Sequence, residues 1–580
     1  MKVFLVHPPH WTPTMPHLAL PVLTAYLRAR GVQVIQRDLN IETYDAVLSR
    51  SYLQQVVEHL YTQFKKVWRR DLPVHIQQEL GQRASIAAQV EQAKAVFRSP
   101  AFYDGEKSRT AFGVIGRALE LASMPFAPAR LDLLKYEPAV PIDSSRTLLQ
   151  AVRDPQHNMF LHLFQQIILP DIERQQPDVV GISILTVGQM LAGMTLAHLI
   201  KQAGLQCHVT VGGPQISMLR EQLPQAPDLF SLVDSAIVFD GELPLLRLVE
   251  ALEGKGDLND IPNLIYKAGD QILANPASPM PHQQASGTSE SPDFDGLPLN
   301  RYLVPELVLP LRTAHGCYHG LCGFCNVGYG AGKGFHPLPV DQVLEQIETL
   351  RQKYGARRIF FADEAIPPRT LRLLSTQLAA QGSPIDWCGC ARFERVLSDG
   401  LLDAISRGGG RMLLFGLETA SERMIGHMDK CTQLETMSRI LEESAQAGIW
   451  NNTFYFFGFP TETEQDAQDT IDFMYAHQAS IHSASPGVFV LERYSPVYLD
   501  PARFGVRRII EKPEQDLAVH FDYELESGID ASMAQAINKR LLDAMPTKRF
   551  FQFYVHDVYR FLYASHLHAQ GQTFPRWLAD

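Results

Sequence analysis

Strand-like and helix-like segments alternate in two separate runs along this 580-residue chain, and that doubled alternation constrains the fold more than any other feature. In the first run Val3–Val6 reads as a strand, Leu18–Arg30 as a helix and Val32–Arg37 as a second strand ending at Asp38. Strands resume at Val179–Leu185, His208–Val211 and Ala236–Phe239, with helical stretches at Gly188–Ala203, Gln215–Leu223 and Leu243–Leu252. Strands alternating with helices predict a doubly wound, flavodoxin-like parallel sheet over residues 1–255. The second run, over 305–498, has strands at VLPLRTA, Arg358–Ala362, Ile385–Ala391, Met412–Leu417 and Thr453–Phe457. Its helices read at Val340–Tyr354, Arg369–Gln381, Leu397–Arg407, near Glu422 and Leu434, and at Glu464–His477. About six βα units in series predict a (β/α)6-type partial barrel.

Three stretches fall outside these runs. An insertion over about 42–154 is far longer than an ordinary connection and carries helical stretches at Ser51–Arg69 and Val74–Phe97, which predicts a helical insertion with its own task. From 256 to 304 the composition turns to Pro, Ser, Gly and Asn around ASGTSESPDFDGLP, which reads as a linker. Residues 499–580, rich in helix formers and aromatics such as FFQFYVHDVYRFLY, read as a helical C-terminal cap.

Composition removes several classes of function. Hydrophobic residues at 46% and charged residues at 20% match folded chains, not disordered ones. A net charge of −11, with no basic stretch, argues against a nucleic-acid partner. Val179–Ile200 has no Asp, Glu, Lys or Arg, but its VVGISIL start is of buried-strand type and Gly181, Gly188, Gln189, Gly193 and His198 interrupt it, so no membrane span is expected. The N-terminal MKVFLVHPP has too short an apolar run for an export signal, and seven cysteines are an odd number for a disulfide framework. Both point to a reduced, cytoplasmic setting.

Candidate chemistry concentrates where strands end. In Gly316-Cys317-Tyr318-His319-Gly320-Leu321-Cys322-Gly323-Phe324-Cys325, just after the first barrel strand, three thiolates can wrap one soft metal centre while glycines let the backbone turn. Zinc, with His315 or His319 as fourth ligand, and an iron–sulfur cluster are the alternatives. Cys207, Cys388, Cys390 and Cys431 read as small buried hydrophobes. In the first run the strand ends Ser183-Ile184-Leu185-Thr186, Gly212-Gly213-Pro214 and Asp240-Gly241-Glu242 would line one pocket.

The cysteine loop resembles the cluster-binding loop of radical S-adenosylmethionine enzymes, and the N-terminal half resembles their cobalamin-binding domain. One departure is that four residues separate Cys317 from Cys322 where the commonest loop has three. The resemblance implies a 4Fe-4S cluster on Cys317, Cys322 and Cys325, with one iron left for S-adenosylmethionine. It implies that Asp363 and Glu364 hold the methionine amino group, that Arg392 in CARFE and Glu418 in FGLETAS contact the carboxylate and ribose, and that Phe324 packs near the adenine. Gly458, opening Gly458-Phe459-Pro460-Thr461-Glu462-Thr463, matches a later cofactor turn. On the residues alone, Asp363 and Glu364 also read as a helix N-cap and Arg392 or Glu418 as half of a structural ion pair.

For cobalamin, the resemblance points to Ser183, Leu185, Thr186, Gly212, Gly213, Gly241 and Glu242. The family form that supplies cobalt with a histidine has Asp-x-His after the second strand; here Asp38-Leu39-Asn40 stands instead, implying a lower face without a protein histidine. The implied activity is methylation of an unactivated carbon in a small-molecule or peptide natural product. Ring closure, ring contraction or oxidation without methyl transfer is the alternative, and a non-catalytic cobalamin or redox sensor is a third reading. An external electron donor of flavodoxin or ferredoxin type is implied as partner.

Overall fold

The computed structural model describes residues 1–67, 72–276, 290–326, 334–544, 556–572 and 574. They form two compact units, one of Met1–Ser278, Pro292–Leu307 and Pro513–Ala518, the other of Pro279–Ser291, Val308–Lys512 and Val519–Asp580.

The first unit is organised by a seven-stranded sheet of β1 (Lys2–His7), β2 (Gln33–Asp38), β3 (Val179–Ser183), β4 (His208–Gly212), β5 (Ser235–Ile237), β6 (Leu264–Ala268) and β7 (Gln271–Ala274). The order is β2-β1-β3-β4-β5-β6-β7, parallel through β5. The 2-1-3-4-5 start is the flavodoxin-like arrangement, with its switch point between β1 and β3. Val3–His7 and Val179–Ser183 are buried throughout, as central parallel strands covered on both faces require. Helices Ala19–Arg28 and Glu242–Leu252 cover one face, packing Leu20, Leu27, Leu245 and Leu248 on Val3 and Leu5.

The uncharged stretch 179–200 divides into β3 and the start of helix Met190–Gln202, and no helix among the described residues is long and apolar enough to cross a membrane. The insertion is helical, with Leu39–Val47, Arg50–Val67, Val74–Phe97, Gly105–Ser123 and Ser145–Ala151 plus the short ladder Arg130–Leu131 with Tyr136–Glu137.

The stretch 256–304 differs from the linker expected of it. Its LIYKA and QILA segments form the antiparallel hairpin β6–β7, which turns at Gly269 with φ +63° and covers the edge of β5. Composition alone did not register the short apolar run that buries Leu264, Ile265 and Tyr266. Residues 292–307 also stay with this unit, where Tyr302 donates its hydroxyl to Asp38 at 2.6 Å and Gln36 donates to the Asp293 carbonyl at 2.6 Å. Part of the quoted linker core, residues 285–289, lies outside the described residues.

The second unit holds β8 (Val308–Leu311), β9 (Arg358–Phe361), β10 (Asp386–Ala391), β11 (Gly410–Glu418), β12 (Trp450–Phe457) and β13 (Ser483–Val488). All are parallel and paired in chain order, which makes an open partial barrel. Helix Val340–Tyr354 ends on Gly355 at φ +67°, and helix Glu464–Ala476 begins with a Thr463/Asp466 capping box. The sixth strand, SASPGV, has no apolar alternation to announce it. Residues 499–580 carry helices Ala531–Ala544 and Asp557–Ala569 and, besides them, strands Val506–Ile510 and His520–Leu525, which pair antiparallel. Phe504 and Val506 pack there with Phe459, Phe489 and Leu491. Residues 550–555 of the aromatic run lie outside the described residues.

Candidate functional site

The cysteine loop leaves the barrel just past β8 and is held by its backbone. Gly316 has φ +73°, and a methyl group there would stand 2.2 Å from the Gly334 carbonyl oxygen, so only glycine fits. Gly323 N donates to Met428 O at 2.8 Å, and Cys325 N to Cys322 O at 3.0 Å. Cys317, Cys322 and Cys325 form no disulfide among the described residues, and each is partly accessible. Among the described residues no three His, Cys, Asp or Glu side chains gather tightly enough for one metal ion.

Around Cys322 stands a compact set of charges. Arg392, just past β10, has Nη1 3.8 Å from Cys322 Sγ and donates Nη2 to the Lys430 carbonyl at 2.6 Å. Its Nε atom is buried and makes no hydrogen bond among the described residues, lying 3.4 Å from Glu394 Oε1 in an ion pair. Glu418, the last residue of β11, is buried with φ +60° and accepts from Lys430 Nζ at 2.9 Å. The Phe324 ring centroid lies 5.6 Å from Lys430 Nζ and 5.1 Å from that of Phe456. Burial raises the Cys322 thiol, and the two cations oppose that rise.

The acidic pair divides. Thr313 donates its amide to both oxygens of Asp363 at 2.9 Å and its hydroxyl to Oδ1 at 2.8 Å, so this carboxylate ties the end of β9 to the end of β8. Burial pushes Asp363 up to about 6 against those bonds. Glu364 is reachable by solvent and makes no hydrogen bond among the described residues, while the protein crowded around it raises its carboxyl. Gly458, at φ +89°, donates its amide to Glu462, whose other oxygen is buried without a hydrogen-bond partner among the described residues. Burial pushes Glu462 up to about 7.

The barrel therefore brings Cys322, Phe324, Arg392 and Glu418 together, while the Asp363 carboxylate is turned to Thr313. Lys430 was missed, because a lysine following a short helix carries no sequence signal of burial.

In the first unit the strand ends form a cradle of backbone. Ile184 N donates to Gly212 O at 2.8 Å. Gly213 has φ +104°, and a methyl there would stand 2.4 Å from the Ile184 carbonyl oxygen, while one on Gly212 would lie 3.3 Å from the Ile237 oxygen. Gln189, fully buried, accepts from Leu185 N at 2.7 Å and Thr186 N at 3.3 Å and donates to Pro8 O at 2.6 Å. It thereby fixes the Ser183–Thr186 turn to the end of β1. Gly241 precedes helix Glu242–Leu252, and the Glu242 side chain is buried at its first turn.

Asp38 caps helix Leu39–Val47, and Asn40 accepts from Trp11 N at 2.9 Å, so both are spent on structure. His7 stacks on His17 with centroids 4.8 Å apart, and burial lowers the two to about 4 and about 3, so both are neutral at pH 7. His7 Nδ1, His10 Nε2 and Gln215 Nε2 are buried without hydrogen-bond partners among the described residues. The bonding role of Gln189 and the burial of Gln215 escaped sequence reading, since a glutamine at the start of a helix resembles any other.

Residues 311–474 match the Radical SAM superfamily. An uncharacterized methyltransferase of Pyrococcus horikoshii is 26% identical over 306 residues, which cover 52% of this chain and 65% of that protein. The chain thus spans just under two thirds of that relative's length. The fold matches the radical S-adenosylmethionine methyltransferase TsrM of Kitasatospora setae, solved with cobalamin and a 4Fe-4S cluster bound, at a TM-score of 0.58 and 14% identity, over 93% of this chain and 90% of that one. It also matches the cobalamin-dependent S-adenosylmethionine radical enzyme OxsB, solved with aqua-cobalamin and S-adenosylmethionine bound, at a TM-score of 0.54 and 15% identity, over 76% and 75% of the two chains.

Proposed function

We propose that this chain, whose residues 311–474 match the Radical SAM superfamily and whose fold matches those of TsrM and OxsB, is a cobalamin-dependent radical S-adenosylmethionine methylase acting on an unactivated carbon of a small-molecule or peptide natural product. The observation that carries the proposal is the buried Lys430–Glu418 pair joined to the half-buried Arg392, which stands beside Cys322. Buried charges of both signs around soft ligands suit a small zwitterion next to a metal centre.

When bound, the cluster with S-adenosylmethionine supplies a 5'-deoxyadenosyl radical for hydrogen abstraction, and cobalamin supplies a transferable methyl group. The residues present fit these groups. Cys317, Cys322 and Cys325 would hold the cluster. Arg392, whose Nε makes no hydrogen bond among the described residues, would donate to the cofactor carboxylate, and Glu364, which makes none there either, would accept from the amino group. Glu418 would accept from the ribose hydroxyls, and Phe324 and the turn at Gly458 would flank the adenine. In the first unit, glycines that leave no room for a Cβ and the unpaired nitrogens of His7 and Gln215 suit a large ligand with amide arms pressed onto backbone. Ser183, Leu185, Thr186, Gly212, Gly213, Gly241 and Glu242 would form that cradle. A flavodoxin- or ferredoxin-type protein would supply the electron.

The test uses anaerobically reconstituted full-length protein with hydroxocobalamin, S-adenosylmethionine and a strong reductant, with products quantified by mass spectrometry. Both 5'-deoxyadenosine and S-adenosylhomocysteine are expected. If 5'-deoxyadenosine forms alone on cobalamin-loaded protein, methyl transfer loses its support and ring closure or oxidation replaces it. If neither forms although cluster and cobalamin are bound, the enzymatic reading fails.

A further inference from the structure

Residues Met428–Lys430, directly after helix Glu422–His427, touch four parts of the barrel site at once. Met428 O accepts from Gly323 N at 2.8 Å, and Asp429 O lies 2.8 Å from His319 Nε2. Lys430 O accepts from Arg392 Nη2 at 2.6 Å, and Lys430 Nζ donates to Glu418 Oε1 at 2.9 Å. Three consecutive residues therefore hold the cysteine loop through the Gly323 amide and the His319 ring, and both flanking charged side chains by direct bonds.

Lys430 is only 6% exposed, and lysines are rarely buried unless paired. The strand beside it is shaped for the pair: a methyl on Gly416 would stand 2.5 Å from Glu418 Oε1 and 2.7 Å from Lys430 Nζ. A bulge in the β11–β12 register at Gly416/Glu418 and the positive φ of Glu418 turn the carboxylate toward the ammonium. A single structural ion pair would need neither the bare glycine nor the shared bond to Arg392.

We propose that Lys430 is the positioning residue of the S-adenosylmethionine site, fixing Glu418 through its ammonium and Arg392 through its carbonyl in register with the cysteine loop. Its ammonium also offsets the Glu418 carboxylate while Arg392 stands 3.8 Å from Cys322 Sγ, a balance that favours the more negative, reduced state of a cluster there over the one left if Glu418 were unpaired. This inference rests on the proposed function.

The test compares wild-type, Lys430→Met, Lys430→Arg and Gly416→Ala full-length proteins after anaerobic reconstitution. Iron and sulfide content and cluster absorption are read first. S-adenosylmethionine affinity is then taken from its perturbation of the reduced-cluster EPR spectrum, and the midpoint potential from spectroelectrochemistry. Lys430→Met is expected to keep its cluster, bind S-adenosylmethionine about tenfold or more weakly, and shift to a more negative potential. Lys430→Arg recovers most of both properties. Gly416→Ala loses affinity although Lys430 is intact, because its methyl displaces the pair.

Unchanged affinity and potential in cluster-loaded Lys430→Met overturn the inference. Should that variant fail to load, unchanged affinity in Gly416→Ala overturns it instead. A wild-type protein that takes no cluster sinks the proposed function itself, an outcome distinguishable from either of these.

Discussion

At the carboxyl edge of the N-terminal sheet the candidate contacts other than Glu242 come from backbone and neutral side chains, with Gly212 and Gly213 bare and His7 and His17 held uncharged, whereas at the barrel mouth the buried pair Glu418 and Lys430 stands beside the half-buried Arg392. The difference teaches what each region can recognise. A cradle whose clearances are set by missing Cβ atoms selects by shape, so it suits a large ligand that lies flat. A set of buried charges selects by charge and hydrogen-bond geometry, and a small zwitterion can complete it.

The comparison breaks most sharply at the cysteines. Cys322→Ala should abolish cluster absorption and S-adenosylmethionine cleavage while cobalamin retention stays near wild type, checked by visible spectra and product analysis. Loss of both cofactors together would mean the two regions are not separable. The converse variant is Gly213→Ala, where the added methyl meets the Ile184 carbonyl at 2.4 Å and the φ of +104° is strained for any side chain. We expect cobalamin retention to fall while the cluster loads normally, with a stability loss of about 1–3 kcal/mol in denaturant titration.

A smaller contrast lies inside the acidic pair. Asp363→Ala leaves the Thr313 amide without its acceptor and should cost about 1–3 kcal/mol of stability. Glu364→Gln should stay within about 0.5 kcal/mol of wild type yet weaken S-adenosylmethionine binding several-fold. Equal stability losses would show that the two carboxylates share one task.

The smallest effect is a pH dependence. Burial pushes Glu462 up to about 7, so the folded state binds a proton that the unfolded state releases above its ordinary carboxylate range. Stability from this group is therefore full at acidic pH and is lost as pH rises toward 7. Glu462→Gln removes the dependence, so the melting temperature of the variant relative to wild type should climb between pH 5 and 8, by the equivalent of roughly 1–2 kcal/mol. A flat difference across that range would put the Glu462 carboxyl at its ordinary value.

What was legible in the sequence follows from the same physics. Parallel strands buried on both faces, such as Val3–His7 and Val179–Ser183, spell continuous apolar runs, so both parallel sheets could be read without coordinates. The cysteine spacing and the strand-end Arg392 and Glu418 were equally open to reading. The hairpin β6–β7 hid inside a stretch whose average composition is that of a loop, and Ser483–Val488 lacks apolar periodicity altogether. Nor could the division between Asp363 and Glu364 be read, because neighbouring carboxylates look alike until a donor such as Thr313 takes one of them. Lys430 stayed invisible for a related reason, since its partner Glu418 is twelve positions earlier and the pairing depends on a bulge.

The discontinuity of the first unit has a consequence for how the protein is made. Its last piece, Pro513–Ala518, brings Leu517 N to Asp143 O at 2.8 Å and Asp516 to the Ser145 amide at 2.7 Å. At roughly 5–20 residues per second, the ribosome needs on the order of 10–40 s to travel from residue 307 to residue 513. During that interval the first unit lacks the segment that bonds Asp143 and Ser145 of its helical insertion while all six strands of the barrel sheet are synthesised, so the unit that begins first is completed only after most of the second has been made.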